Sequence, residues 1–326
     1  MFCLVSLQEL LSTLFLSPTP SPPRNNGIRI HIETPLHGNP PCYRPINNLI
    51  NIRDDTGEFL VHLKNGQTIQ AKCWNGWEWT HGVGLYGIWK IYEMTGKELY
   101  LKIIEDWFAE RFMEGGTSKN INTMAPFLTL AYVYERTRNQ TYLPWLDAWA
   151  EWAMYDLPRT NYGGMQHITY VDENEQELWD DTLMMTVMPL AKIGKLLGRD
   201  DWCTMVIPEI LELLELDVND PVRCHLCETL EAQYSYLEAS ATAGFAYGIL
   251  KAVRRRYIGA EYRDVGLRAV QSVLRDVDEQ GELRNTSYGT PMGHDLQFYK
   301  DIPITSMPYG QAMAIMALAE YLRTYL

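Results

Sequence analysis

Helix-length apolar segments of two alternating kinds run from Asn47 to the end of the chain, and no other feature restricts the fold as much. One kind starts after a short turn that carries an acid or amide followed by an aromatic. Examples are Gly96-Lys97-Glu98-Leu99-Tyr100, Arg138-Asn139-Gln140-Thr141-Tyr142, Gly198-Arg199-Asp200-Asp201-Trp202 and Gly259-Ala260-Glu261-Tyr262. These read as equivalent positions of an internal repeat. The other kind follows a longer loop and is apolar on every side: Trp79 to Met94, Ile121 to Thr137, Leu178 to Leu197, Ala241 to Tyr257 and Ser306 to Leu326. A helix apolar all round is a buried helix. Pairs of one amphipathic and one buried helix, repeated about six times along the chain, predict an all-α fold in which an inner ring of helices is wrapped by an outer ring, an (α/α)6 toroid. The short turns then share one face. The long loops share the other, where they wall a central pocket at the inner-helix N-termini. Met165 to Tyr170 and Gly281 to Tyr288 read as short hairpins inside those loops.

With 326 residues, 46% of them hydrophobic, the chain can bury a sizeable core. Residues 1–42, rich in Pro, Asn and Gly beyond Pro18, read as an irregular appendage, and 43–326 as one domain. No apolar run reaches the roughly 18 residues needed to cross a bilayer. Glu9 interrupts the N-terminal apolar stretch and no Lys or Arg precedes it, so the expected location is cytoplasmic, with secretion as the alternative. A net charge of -13 repels phosphate backbones and excludes nucleic acid as the expected partner. The six cysteines are expected to be free thiols, and the Cys224/Cys227 pair to be structural, because no second ligand pair lies nearby. No Gly-rich phosphate loop, nucleophile elbow or HExxH helix occurs, so neither a cofactor nor a catalytic metal is expected. Ten Trp and 20 Tyr suit a protein that stacks against sugar rings.

The inner-helix starts carry polar and aromatic side chains in alternation: Trp77-Glu78-Trp79-Thr80-His81, Lys119-Asn120-Ile121-Asn122, Trp179-Asp180-Asp181-Thr182, Glu238-Ala239-Ser240-Ala241-Thr242 and Met307-Pro308-Tyr309-Gly310-Gln311. Asn, Asp, Ser and Thr at such places serve as helix caps. Caps alone do not call for indoles and imidazoles. The loops containing His167 and His294 can bring an imidazole to the same mouth, although a lone histidine is more often a hydrogen-bonded structural group.

Four stretches, Trp77 to Gly87, Glu177 to Met185, Glu238 to Phe245 and Pro303 to Ala312, resemble the unsaturated rhamnogalacturonyl hydrolases of glycoside hydrolase family 105. The resemblance covers roughly residues 47–326. It implies an (α/α)6 barrel without metal, acting on an oligosaccharide that ends in a 4,5-unsaturated uronic acid. It also implies a hydration mechanism in which a carboxylic acid protonates C4 of the vinyl ether and water adds at C5. The hemiketal then opens and releases the neighbouring sugar. By its match to the family motif, Asp181 is the catalytic group. Trp79, His81, Asn120, Asn122, His167, Trp179 and His294 are then substrate-binding candidates. Asp180 points about 100° away on a helix and reads as a cap or a charge that modulates its neighbour. A helix N-terminus favours the ionised form of a carboxyl, so something must oppose that effect if Asp181 is to donate a proton.

The chain departs from the family pattern after Trp202. Val206 to Leu211 reads as the next inner helix, with no room for the outer helix and loop between, and the Arg and Trp that family members place on the uronate there are absent. A second shortening falls at Gln233 to Tyr236. The toroid is therefore expected to lack one outer helix, and turnover to be weak or absent. Lys119 and His294 are left as the positive donors for an anionic sugar. Two other readings stand beside this one: a sugar-binding remnant without turnover, and an inverting (α/α)6 glycosidase on saturated sugars, for which Glu78 and Glu238 are the available second acids.

Overall fold

A computed structural model of the chain describes residues 43–63, 66, 68–161, 163–179, 181–204, 237–289 and 296–324. In chain order the elements are α1 (Tyr43–Asn51), strands β1 (Leu60–His62) and β2 (Thr68–Gln70), α2 (Trp79–Thr95), α3 (Glu98–Met113), α4 (Ile121–Met124), α5 (Pro126–Thr137) and α6 (Leu143–Glu151). After these come a π-helical turn Leu183–Val187 that runs into α7 (Met188–Leu197), then α8 (Asp200–Thr204), α9 (Ala239–Arg255), α10 (Arg263–Asp276), α11 (Leu296–Lys300) and α12 (Pro308–Arg323).

Two burial patterns separate the helices as their composition demands. Every residue of α2 from Thr80 to Tyr92 is buried, and so is α12 from Pro308 to Tyr321. In α10 only the stripe Gly266, Leu267, Val270 and Val273 is buried, which is one face of a helix. The all-round buried helices pack side by side in the order α9, α12, α2, α5, α7. Each is backed by an outer partner: α10 on α9, α1 on α12, α3 on α2, α6 against α5 and α7, and α8 on α7. The first described helix thus covers the last inner one. The arc's two ends, α7 and α9, are joined in sequence by residues 205–236, which lie outside the described set, as do residues 1–42, Cys224 and Cys227. The expectation of a missing outer helix falls on that same stretch. Of the cysteines, Cys73 and Cys203 are described, and both are free thiols.

Close approach of the inner helices explains why α2 tolerates glycines that weaken a helix by about 1 kcal/mol each. A Cβ on Gly82 would stand 2.5 Å from the Ala125 Cβ and 2.7 Å from the Pro126 nitrogen, at the junction of α4 and α5. One on Gly87 would meet Ala312 of α12 at 3.1–3.3 Å. Four inner helices, α2, α5, α7 and α9, end alike, in left-handed caps at Gly96, Arg138, Gly198 and Arg256, and these are the short turns that the sequence repeat marks. The opposite face carries all the inner-helix starts.

Three local features depart from the sequence reading. The third inner helix starts in a π-turn at Leu183, and not as a regular helix from Leu178: the Asp181 carbonyl accepts from the backbone N–H of both Met184 (2.9 Å) and Met185 (3.0 Å). Such turns are frequent at functional sites. The last inner helix starts at Pro308, whose ring suits the first helical position and holds Met307 extended (φ -132°, ψ 148°). The expected hairpins reduce to isolated bridges, Arg159 to Met165, Val277 to Leu283 and Ser287 to Ile304. A true two-stranded ladder forms instead between β1 and β2, with Leu60 opposite Gln70.

Candidate active site

Glu78, Asn120 and Asp181 stand at three successive inner-helix starts. Glu78 caps α2 from an extended backbone (φ -148°, ψ 172°), and one of its carboxylate oxygens accepts from the Trp79 N–H at 3.1 Å. The side chain of Asn122, one turn into the neighbouring start, also hydrogen-bonds this carboxylate. Only 9% of Glu78 is exposed. Burial pushes its carboxyl up to about 7, against the pull of the Trp79 N–H and Asn122, and the nearby Asp181 charge adds to the rise.

His81 sits three residues into α2 and has both ring nitrogens committed. Nδ1 accepts from the Glu78 backbone N–H at 3.0 Å, and Nε2 donates to the Cys73 carbonyl at 2.6 Å. It is fully buried, and burial drives it down to about 4, so the ring is neutral. His81 thereby closes the capping box at the start of α2. Asn120 does the same for α4, its Oδ1 accepting from the Thr123 N–H at 3.0 Å while its own N–H donates to the Thr123 hydroxyl at 2.9 Å. At 3% exposure it is buried in this cap.

The Asp181 carboxyl is one-quarter exposed, 26%, and its Oδ1 lies 3.5 Å from Nδ1 of His167. That nitrogen also contacts the Thr182 hydroxyl at 3.0 Å. The His167 ring lies flat on Trp179, centroids 4.3 Å apart and planes 2° apart, and the Trp179 indole is held by the Glu177 carboxylate at 2.8 Å. Burial takes His167 down to about 4. Its neutrality matters because an imidazolium at that distance would strongly favour ionised Asp181, whereas a neutral ring offers at most one hydrogen bond. Trp79 is half-buried against Tyr309, centroids 4.8 Å apart, and Trp79, Trp179 and Asn122 all keep part of their surface accessible. Asn122 Oδ1 has no protein partner among the described residues.

A cavity of about 300 Å³ is lined by Gln70, Asn75, Trp77, Arg111, Thr117 and Tyr170 among others, and neither Glu78 nor Asp181 is part of its wall. Tyr170 lies within electrostatic range of Glu78, and its hydroxyl meets that of Thr117. Arg111 is a buried cation that sequence reasoning missed because it belongs to the last turn of an outer helix, α3. Its guanidinium spans the Asn75 carbonyl and Glu114 at 2.7 Å. Lys119, expected as the positive donor, instead reaches over the rim to the Ala148 carbonyl at 2.6 Å. His294 and Asp180 lie outside the described residues. Glu238, the other acid weighed for a two-carboxylate mechanism, is occupied as the cap of α9. It accepts from the N–H of Ala241, the hydroxyl of Ser240 (2.7 Å) and the N–H of Ser287 (3.0 Å).

These buried groups make stability depend on pH. His81 and His167 titrate near 4 when folded and near 6.5 when unfolded, so between those values the unfolded chain binds about two more protons. Glu78 acts in the opposite direction between about 4.5 and 7, where the folded chain holds one more. The net is about one proton favouring the unfolded chain between pH 4.5 and 6.5. Unfolding free energy is therefore expected to drop on the order of 1 kcal/mol per unit as pH falls through that window, and to decline gently above 6.5 as Glu78 ionises. Urea midpoints measured from pH 4.5 to 8 check this, and a flat profile would contradict it.

A family model described as Glycosyl Hydrolase Family 88 matches residues 51–223 and 224–325. A crystal structure of a possible member of the GH105 family from Salmonella enterica superposes with a TM-score of 0.81 at 46% identity, covering 92% of this chain and 100% of that one. A second possible GH105 member, from Klebsiella pneumoniae, gives 0.77 at 45% identity, covering 93% and 100%. Unsaturated rhamnogalacturonyl hydrolase YesR of Bacillus subtilis is 23% identical over 316 residues, 76% of this chain and 90% of that protein. The match along most of the chain, joined to a ring of inner helices whose starts gather a carboxylate, two stacked rings and an amide, places this protein in Glycosyl Hydrolase Family 88 and, within the six-hairpin toroids, with the family 105 glycoside hydrolases.

Proposed function

We propose that the chain hydrolyses oligosaccharides that end in a 4,5-unsaturated galacturonyl residue, of the kind a lyase leaves on rhamnogalacturonan, with Asp181 as both acid and base. Asp181 gives its proton to C4 of the vinyl ether, water adds its oxygen at C5, and the water proton returns to Asp181. The hemiketal at C5 then opens and frees the neighbouring sugar. One carboxyl serves both half-steps, so no second carboxyl at a fixed glycosidase separation is needed.

The observation that carries this reading is the placement of Asp181. It is partly accessible and sits at an inner-helix start beside a neutral imidazole that is stacked on the half-buried indole of Trp179. The name of the Bacillus subtilis relative supports the rhamnogalacturonyl choice. Glu238, one of the two acids weighed for the inverting reading, already accepts from three donors, which weighs against it as the second acid. Neutral His167 and the Arg111–Glu114 pair leave little net positive charge for an anionic sugar, and the segment in which the family holds its uronate-binding Arg falls within 205–236. We therefore infer slow turnover. Purified protein incubated with an unsaturated rhamnogalacturonan disaccharide should remove the ultraviolet absorbance of the double bond slowly but measurably. Binding with the double bond intact would identify a sugar-binding remnant. Release of sugar from saturated oligosaccharides alone would replace the hydration mechanism.

A further inference from the structure

Four segments enclose the cavity of about 300 Å³: β2, residues 75–77 ahead of α2, the last turn of α3 with the turn that follows it, and, through Tyr170, the loop that carries His167. Arg111 stands in its wall with a side chain only 7% exposed. The guanidinium donates to the Asn75 carbonyl and, at 2.7 Å, to Glu114, and the Glu110 carboxylate lies 3.6 Å away. A guanidinium has more N–H groups than these partners use, and Nε–H has no partner among the described residues. A buried donor left in that state costs free energy until something accepts from it. The Thr117 and Tyr170 hydroxyls meet and tie the His167 loop to the turn after α3, while Gln70 and Asn75 bring exposed side-chain amides to the same cavity. Trp77 and Ile69 supply apolar wall.

The charge balance selects the ligand. Two carboxylates, Glu110 and Glu114, face one guanidinium, so an anion entering the cavity meets like charge beside its cation. A sugar hydroxyl both donates and accepts. Neighbouring hydroxyls of a neutral ring can take an N–H from Arg111 or an amide and give a proton to Glu114 or an amide oxygen, with the C–H face of the ring against the indole. A volume of about 300 Å³ is at the small end of ligand sites and suits one ring, not a chain of several. We propose that this cavity is an accessory carbohydrate site, separate from the mouth that holds Asp181, and that it takes one neutral sugar ring, a hexose or 6-deoxyhexose, in preference to a uronic acid. Neither Glu78 nor Asp181 lies in its wall, so the site stands whether or not Asp181 is the acid.

Methyl α-rhamnopyranoside and galacturonic acid are the probes, titrated into the full chain at neutral pH and followed at the Trp77 indole N–H resonance, which is identified by its loss in Trp77→Phe. The rhamnoside should shift that resonance saturably, with a Kd in the millimolar range, and galacturonic acid should bind at least about fivefold more weakly. Gln70→Trp, which fills the cavity from an exposed strand position, should weaken the rhamnoside at least about tenfold, and Gln70→Ala about threefold, whereas Asp181→Asn should leave it within about twofold. No saturable shift, galacturonic acid binding as tightly as the rhamnoside, or an unchanged affinity in Gln70→Trp would overturn the proposal; should that variant fail to fold, Gln70→Ala decides in its place. Unsaturated di- and tetrasaccharides then identify the source of the ring. A tetrasaccharide weakened by Gln70→Trp beside an unaffected disaccharide makes the ring a distal unit of the oligosaccharide; both unaffected while the rhamnoside is lost makes it a free sugar, and either result supports the site. A weakened disaccharide would merge the cavity with the mouth and overturn their separation. Failure of the protein to consume the double bond removes the proposed reaction and leaves these titrations as they are.

Discussion

Asp181→Asn is expected to lower turnover of the unsaturated disaccharide by about 10⁴-fold or more, with KM and melting temperature almost unchanged. A single general acid contributes about 10²–10⁴ to a rate. Here the same group would also take the proton from water, so both half-steps lose their proton carrier. The fold should not notice. It is the backbone carbonyl of Asp181, and not its carboxyl, that accepts from Met184 and Met185 to start the inner helix. The side chain is partly exposed, and an amide of equal size can keep the His167 contact. A change in unfolding free energy within about 1 kcal/mol is the expectation for so conservative a replacement at such a place. Steady-state kinetics beside a denaturant titration decide the matter: more than about a tenth of the wild-type kcat remaining in the variant is incompatible with Asp181 as the sole proton carrier.

The inner and outer helices could be told apart in the sequence because burial on all sides leaves no polar stripe, and the left-handed caps at Gly96 and Gly198 announced the short turns. Asp181, Trp179 and His167 stand together because the loop that holds His167 is stapled to the same start by the Glu177 carbonyl accepting from the His167 N–H at 3.0 Å. What was not legible has several causes. His81 and Asn120 are residue types that suit both sugars and caps, and only coordinates show that their polar atoms are already spent on backbone partners. Glu78 was weighed as a second acid, but its burial was not legible, because a glutamate before a helix reads as an ordinary favourable charge at the surface. Arg111 projects from an amphipathic outer helix whose buried face reads as core. The β1–β2 hairpin has three-residue strands with mixed exposure, too short for a period-2 signal.

The largest loss of stability is expected from Trp77→Ala, about 4 kcal/mol or more. Trp77 is 6% exposed and lies at the centre of an aromatic cluster contributed by three helices and a loop, with centroids 5.5 Å from Trp107, 6.0 Å from Phe112, 5.8 Å from Phe127 and 5.9 Å from Trp149, the last nearly parallel. Truncating a buried Trp to Ala typically costs about 3–5 kcal/mol through lost transfer energy and the cavity left behind. The indole N–H also donates to the Thr123 carbonyl at 2.8 Å, so that carbonyl would lose its partner. Thr123 is the residue that Asn120 caps, and Trp77 directly precedes Glu78, so the cluster ties the first two inner-helix starts together. The loss should therefore reach the site: turnover is expected to fall even where the variant is still folded, because Asn122 and Glu78 are no longer fixed relative to each other. Trp77→Phe, which refills part of the cavity without restoring the N–H, should recover a good share of the stability. By contrast Trp79→Ala, at a half-buried indole that packs on Tyr309 at the edge of the core, should cost much less. Denaturant midpoints of the three variants would show the ranking. A Trp77→Ala protein within about 1 kcal/mol of the wild type would mean that the cluster does not hold these helix starts in place.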